Sequence, residues 1–267
     1  MKSAYTQEIF CQAREFKLHG HFVSNIIWLG ANDPFPNPLL QADPDPSVPG
    51  LIAVSERIYP GQLSAAYQLG IFPWYSDNQP VLWWSPDPRM VLDPEQFIVS
   101  KSLLKTLRHF FHQPNTQIQV DQHFDAVVRA CATTQRKNQD STWITHEIIE
   151  AYTALHEAGH AHSIAVVEHE QLLGGLYCVN FGGMVYGESM FSHADNASKI
   201  ALATLCAWCY DRGVKMIDCQ QETAHLNSLG ARPIARAAFL RHIRQAIQQN
   251  QTLVPWSFDK TILQRWL

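Results

Sequence analysis

Nowhere in the 267 residues do eighteen apolar residues run together, so no membrane-spanning helix is expected. The opening stretch, MKSAYTQEIFCQAREFKLHGH, lacks both a continuous apolar core and a small-residue cleavage site, and no secretory signal is read there. Cysteine is scarce, six in all, too few for a disulfide scaffold. With no export signal read, these are expected to be reduced thiols in the cytoplasm. Charge is also sparse. Charged residues make up 16%, and 20 Lys and Arg against 24 Asp and Glu leave a net charge of −4. That excludes a uniformly basic nucleic-acid coat but leaves room for a local basic patch. What the chain has instead is bulk, with 46% hydrophobic residues including 8 Trp, 8 Tyr and 13 Phe. A core-forming chain of one large or two smaller domains is expected.

Proline is concentrated. Twelve of the fifteen lie between Pro34 and Pro94, in FPNPLL, DPDPSVPG, IFPWYS and WWSPDP. Turns and short extended pieces follow from that density. One helix interrupts them, opened by Pro60 and continued by Leu63, Ala66, Tyr67 and Gly70. Residues 1–30 read as a loosely attached extension, 31–87 as a small Pro-rich domain and 88–267 as the main domain.

After Pro94 the periodicity changes. SKSLLKTLRHFFHQ predicts a helix with Leu103, Leu104, Leu107 and Phe111 as its apolar stripe. TQIQV (116–120) alternates like a strand, and HFDAVVRACAT and HEIIEAYTALHEAG read as two helices. HSIAVVEH, QLLGGLYCVN and MVYGESMF predict three successive strands, with Gly182-Gly183 as the second turn. A helix over ASKIALATLCAWCYDRG, a strand KMIDCQ, a short helix ETAHLNSLG and an amphipathic helix ARAAFLRHIRQAIQQ complete the chain. The order gives an α+β, or mixed α/β, class.

Several motifs carry chemistry. HEAGH (156–160) matches the H-E-x-x-H zinc pattern, in which two His one helical turn apart bind metal and the Glu activates water. Gly159 and the strand-like AHSIAVV suggest that the helix ends inside the motif, and the continuation shows Ser163 and Val166 where metzincins need Gly and His. The alternative is a helix C-terminus with His near its negative end. Cys206 and Cys209 form CAWC mid-helix, where two buried small residues explain them better than a redox pair.

Strand alternation places Tyr186, Glu188 and Met190 on one face, and Met216, Asp218 and Gln220 together on another strand. A carboxylate beside Met190 in an apolar strand is costly unless paired or used; an exposed face is the alternative. Asp218 and Gln220 can accept from and position an amine, or Asp218 can cap the helix beginning near Glu222. The Gly-marked strands leave space for a ligand backbone to approach. Lys101, Lys105 and Arg108 line the helix face opposite the leucines, either a solvated face or a phosphate surface. Trp74, Trp83 and Trp84 among the prolines are core packing or a base-stacking platform.

GIFPWYSDNQPVLWWSPDPR, TWI (142–144), GGLY, YGESMFS, ASKIAL, MIDCQ and HLNSLGA occur in that order. Together, from about Phe35 to Phe239, they resemble the bacterial leucyl/phenylalanyl-tRNA–protein transferases. Three segments depart from that pattern: LIAV followed by SERI (55–58), HSIA with Ala165 in place of an acid, and IAR with Ala235. The resemblance implies a small N-terminal domain followed by a GNAT-like (acetyltransferase-like) domain. SHADNASK stands where a CoA-binding member has a Gly-rich turn, so no acetyl-CoA is expected. No cofactor or metal is implied.

The implied activity moves Leu or Phe, and Met less favourably, from aminoacyl-tRNA to the N-terminal Arg or Lys of a protein, marking it for degradation. The resemblance places Asp218 and Gln220 in the catalytic element, with Asp218 orienting Gln220 and attracting the cationic acceptor. It gives Glu188 to the aminoacyl end or to the acceptor's charge. The resemblance further implies that Leu176, Met190 and Ile217 line an apolar pocket, that Trp74 and Trp143 stack on the terminal adenosine, and that Lys101, Lys105 and Arg108 take tRNA phosphates, with salt-sensitive binding as the expected consequence. Two rival classes are a zinc hydrolase using His156, Glu157 and His160, and a non-catalytic tRNA or N-terminus binding module.

Overall fold

The computed structural model describes residues 16–18, 21–23, 26–40, 48–76, 79–134, 144–249 and 256–267. Its strands are β1 (Phe16–Leu18), β2 (His21–Val23), β3 (Trp28–Leu29), β4 (Leu51–Ser55), β5 (Phe72–Pro73), β6 (Val81–Trp84), β7 (Arg89–Leu92), β8 (Thr116–Val120), β9 (Ala161–Glu168), β10 (Gln171–Phe181), β11 (Met184–Ser192), β12 (Ile217–Gln220) and β13 (Arg232–Ile234). The helices are α1 (Gln62–Gln68), α2 (Lys101–His112), α3 (Phe124–Thr133), α4 (His146–Glu157), α5 (Ala197–Asp211), α6 (Ala224–Ser228) and α7 (Arg236–Ala246). The expected mixed α/β class is what forms.

Capping explains where the helices start. Ser100 and Thr145 each accept the N–H three residues on, from Leu103 at 3.2 Å and Ile148 at 3.3 Å. On α2 the buried stripe is Leu103, Leu107 and Phe110, not Phe111, so the helix is rotated slightly from the expected one. α5 is buried on almost all sides, from Ile200 to Cys209, as a helix without a polar face must be. Cys206 and Cys209 are among its buried residues, and burial pushes both thiols up, as small core residues rather than activated nucleophiles.

Seven strands form one sheet in the order β13-β7-β12-β11-β10-β9-β8, and β3-β4-β6-β5 form a second. One apolar cluster packs α3, α4 and α7, together with the smaller sheet and α1, on one face of the larger sheet. The other cluster packs α2, α5 and the C-terminal turn Lys260–Trp266 on the opposite face. Leu18, Val23, Ile26 and Leu29 are buried in the first cluster, so the later part of the segment expected to be a loose extension is packed into the core. Among the described residues, no helix is long and apolar enough to cross a membrane.

The glycines of β10 fit close internal packing. A Cβ on Gly174 would lie 2.5 Å from the Ala197 Cβ and 2.9 Å from the Phe191 carbonyl; one on Gly175 would lie 2.7 Å from the Ile164 carbonyl. At Gly174 and Gly175 the space expected for a ligand backbone is filled by the protein's own α5 and neighbouring strands.

Candidate active site

β10 and β11 pair antiparallel, but their register slips at one point. Tyr177 faces Ser189 and Cys178 faces Gly187, which leaves Glu188 as the extra residue of a β-bulge. The bulge reverses the alternation. Tyr186 packs in the first cluster and Met190, beyond the bulge, against the second. The single face expected for Tyr186, Glu188 and Met190 therefore does not exist. Glu188 is half-buried and turned toward α4, where the Tyr152 hydroxyl donates to its Oε2 at 2.9 Å. The Tyr152 and Tyr67 hydroxyls are hydrogen-bonded to each other, and the Tyr186 hydroxyl donates to the Tyr67 carbonyl at 2.7 Å.

A second bulge lies beside the first. β11 and β12 run parallel but pair only at Val185–Ile217 and Tyr186–Asp218. On its other side β12 pairs Asp218 with Val91 and Gln220 with Met90, leaving Cys219 extra. Gln220 adopts φ 63°, a left-handed backbone. Its N–H donates to Asp218 Oδ1 at 2.8 Å, which holds that conformation. Its side-chain Nε2 donates to Glu188 Oε1 at 3.0 Å, past the point where the ladder between the strands has ended.

Asp218 is fully buried and does not face solvent. Arg89 donates Nε to Oδ1 at 2.8 Å and Nη2 to Oδ2 at 2.6 Å, a bidentate pair with both side chains at 0% exposure. Arg89 Nη1 donates to the Gly70 carbonyl at 3.1 Å, and its guanidinium lies 4.7 Å and 4.5 Å from the Phe72 and Phe239 ring centres. Gly70 has φ 71°, and a Cβ there would lie 2.5 Å from Leu240, so glycine suits both the turn and the packing. Asp218 is tied to Gln220 through the backbone N–H that its Oδ1 accepts. It cannot meet a cationic substrate directly, because Arg89 already compensates its charge. Nor does it cap the helix after Glu222; Thr223 does that, accepting the Leu226 N–H at 3.2 Å.

Burial sets the electrostatics. Desolvation raises the Glu188 carboxyl to about 7, against the Tyr67 hydroxyl nearby and the hydrogen bonds from Tyr152 and Gln220, which favour the anion, while the nearby Asp218 charge pushes it up further. The Tyr67, Tyr152 and Tyr186 phenols are held high, chiefly by burial. The site thus joins a carboxyl that titrates near neutrality to an amide and a chain of neutral hydroxyls.

The other expected residues that the structure describes lie apart from these contacts. Leu176 and Met190 are cross-strand partners and belong with Ile217 to the second cluster; Leu176 and Ile217 are buried and Met190 is half-buried. Trp74 is half-buried, edge-on to Trp84 at 6.1 Å, and its carbonyl accepts the Trp84 indole N–H. Lys101, Lys105 and Arg108 are exposed on α2, with Arg108 donating to the Leu267 carbonyl. Trp143 lies outside the described residues.

HEAGH does not form a zinc site. α4 ends at Glu157, so His160 is off the helix. His156 stacks on Phe124 with Nδ1 against the Ala161 carbonyl, and His160 stacks on Phe181. Among the described residues no three His, Cys, Asp or Glu side chains group as a metal requires.

The model of the leucyl/phenylalanyl-tRNA protein transferase family matches residues 91–244, and that of the family's N-terminal domain matches 57–87. The chain belongs to this family. Its similarity to a leucyl/phenylalanyl-tRNA–protein transferase of Ralstonia pickettii (strain 12J) is 54% identity, covering 90% of this chain and 97% of that protein. Against the enzyme of that name from Cupriavidus pinatubonensis it is 56%, covering 90% and 96%. Among solved structures, a GCN5-related N-acetyltransferase from Kribbella flavida is 12% identical with a TM-score of 0.32, covering 68% of this chain and 64% of that one. L-PGS from Bacillus licheniformis is 11% identical with a TM-score of 0.36, covering 65% and 56%.

Within this transferase family fold, sequence reasoning missed Arg89, Tyr152 and Tyr67. One signal was available for Arg89, a charge heading the apolar strand RMVL, which is costly unless paired. Nothing in the spacing marks Tyr152 as more than one residue of the stripe Ile148, Ile149, Tyr152 and Leu155.

Proposed function

We propose that this chain transfers Leu or Phe, and Met less favourably, from aminoacyl-tRNA to the N-terminal Arg or Lys of cytoplasmic proteins, giving them a degradation signal. The observation that carries the reading is the Gln220–Glu188 hydrogen bond across the opening between β11 and β12, in a chain of this family. We read residues 31–87 and 88–267 as its two domains.

The chemistry asks little of a protein. An aminoacyl ester is already activated, and an α-amino group with a pKa of ~7.7–8.0 is partly free at neutral pH. Attack forms the amide bond and breaks the ester; the proton lost by the amine ends on the departing ribose oxygen. Orientation, proton acceptance and oxyanion stabilisation suffice. With Nε2 given to Glu188, Gln220 keeps Oε1 to accept from the attacking amine. Glu188, near the midpoint of its titration, receives the cationic or N–H groups of the substrates. Arg89 and Asp218 act through the Gln220 backbone, as positioning residues. Leu176, Met190 and Ile217 form the apolar wall for Leu or Phe, a pocket that tells side chains apart by shape, at about 1–3 kcal/mol per methyl-scale misfit. Trp74 and Trp143 take the terminal adenosine, and Lys101, Lys105 and Arg108 the tRNA phosphates.

The test is a transfer assay with radiolabelled Leu-tRNA and a protein bearing N-terminal Arg, without ATP and with a chelator present. Label on the acceptor's N-terminus is the expected result. Bound tRNA without label transfer would instead mean a binding module, and activity only after zinc is restored would favour the hydrolase-type motif.

A further inference from the structure

Between Glu222 and Asp259 the sequence contains no carboxylate, yet this run carries Arg232, Arg236, Arg241 and Arg244, in a chain of net charge −4. α7 occupies its middle. The inner side of α7 is buried through Phe239, Leu240, Ile243 and Ala246, and Phe239 packs on Arg89, which grips Asp218 behind Gln220. Arg236 is committed to the fold, with Nη1 on the Ser85 carbonyl at 2.7 Å and its backbone N–H on Asp87 at 2.9 Å. Arg232, Arg241 and Arg244 are exposed, and no hydrogen bond or ion pair joins their guanidinium groups to another described residue.

Arg241 and Arg244 are three residues apart and so neighbours on the helix surface. A helix is ~10–12 Å across, which puts this outer face about one helix diameter from the buried pair that holds Gln220. Unpaired guanidiniums repel one another and gain most from bidentate oxyanion partners, phosphate above all. Of the two macromolecules brought to the site, the acceptor protein presents a cationic N-terminus there. The tRNA presents phosphates, and it must deliver its 3′ end to Gln220.

We propose that the outer face of α7, through Arg241 and Arg244 with Arg232 beside its start, is a second phosphate-contact surface for tRNA. It is separate from α2, which packs on the opposite face of the sheet. The inference rests on the reading of this chain as an aminoacyl-tRNA transferase.

The experiment compares the full chain with its Arg241→Gln/Arg244→Gln and Arg241→Lys/Arg244→Lys variants. Binding of an unacylated leucine-accepting tRNA is measured from 50 to 200 mM salt, and transfer is measured with Leu-tRNA and with a leucyl ester of adenosine. With about 0.7–0.9 released counterions per contact, the glutamine variant is expected to have a salt slope shallower by about 1.4–1.8 and a weaker tRNA affinity. The lysine variant keeps the slope. Turnover at saturating Leu-tRNA and transfer from the adenosine ester stay at the parent level. Wild-type transfer together with unchanged slope and affinity in the glutamine variant overturns this surface alone. Equal loss with the adenosine ester overturns it in favour of a disturbed Phe239–Arg89 contact. A raised KM for acceptor with tRNA binding unchanged overturns it in favour of a protein partner. A wild-type chain that binds no tRNA overturns both readings.

Discussion

Glu188 is ionised at a cost. Its carboxyl moves from an ordinary 4.5 to about 7 because the anion is desolvated. The folded state therefore binds the proton more tightly than the unfolded chain does between these values, and stability falls as pH rises through the window. At about 1.4 kcal/mol per pKa unit, the loss is about 3 kcal/mol by pH 8. Glu188→Gln should thus be more stable than the parent at pH 8, while the gap closes near pH 4.5, and it should transfer poorly at both. Denaturant titrations at the two pH values check the sign; a variant equally destabilised at both would mean that burial does not govern this carboxyl. Arg89 carries the opposite expectation. Arg89→Met strands a buried carboxylate and should cost about 3–5 kcal/mol. Arg89→Met combined with Asp218→Leu should recover stability, because an apolar pair can replace a buried ion pair. The Gln220 N–H then has no acceptor, and transfer should remain low. If transfer returns with stability, Asp218 has no positioning role. Retention of the full rate by Asp218→Asn would separately exclude a role for its charge.

The elements were legible in sequence where local rules decide, and not where pairing does. The three strands β9 to β11, the Gly182-Gly183 turn and the helices after Pro94 follow from periodicity and caps, and they form within a few residues of expectation. The bulges do not follow. Alternation assigns each residue to a face only while the register holds, and one extra residue inverts every side chain beyond it. That is why alternation puts Glu188 and Met190 on one face when the register does not, and why nothing in KMIDCQ marks Cys219 as the extra residue. β7 and β13 were also hidden, because four and three residues with Pro beside or within them carry too little pattern to announce a sheet edge. Gly174 shows the same limit in reverse: the residue was legible as a close approach, but not what approaches. Gly174→Ala should cost about 1–3 kcal/mol, since the added methyl meets Ala197 and the Phe191 carbonyl, neither able to swing aside. A melting temperature equal to the parent's would mean that α5 is free to shift outward.

Over the whole molecule, the site depends on contacts between the two ends of the chain. Tyr67 on α1 reaches Tyr152 and hence Glu188, while Gly70 and Phe72 hold Arg89 from the N-terminal side and Phe239 from the C-terminal side. The resemblance made a small N-terminal domain legible, but not its part in holding the residues around Asp218, because no short-range pattern links Arg89 to Asp218 across 129 positions. A chain beginning at residue 88 keeps every strand of the larger sheet and loses the Gly70 carbonyl, Phe72 and Tyr67. It also uncovers Phe239, Leu240, Ile243 and Tyr186, which are buried in the full chain. Exposed apolar area of that kind favours association, and the Arg89–Asp218 pair gains water in place of Phe72 and the Gly70 carbonyl. The shortened chain is expected to aggregate or to elute as an expanded species on size exclusion, and to show no label transfer. A compact monomer with the parent's transfer rate would mean that β12 holds Gln220 without help from the N-terminal part, and that the Tyr67–Tyr152 contact is packing alone.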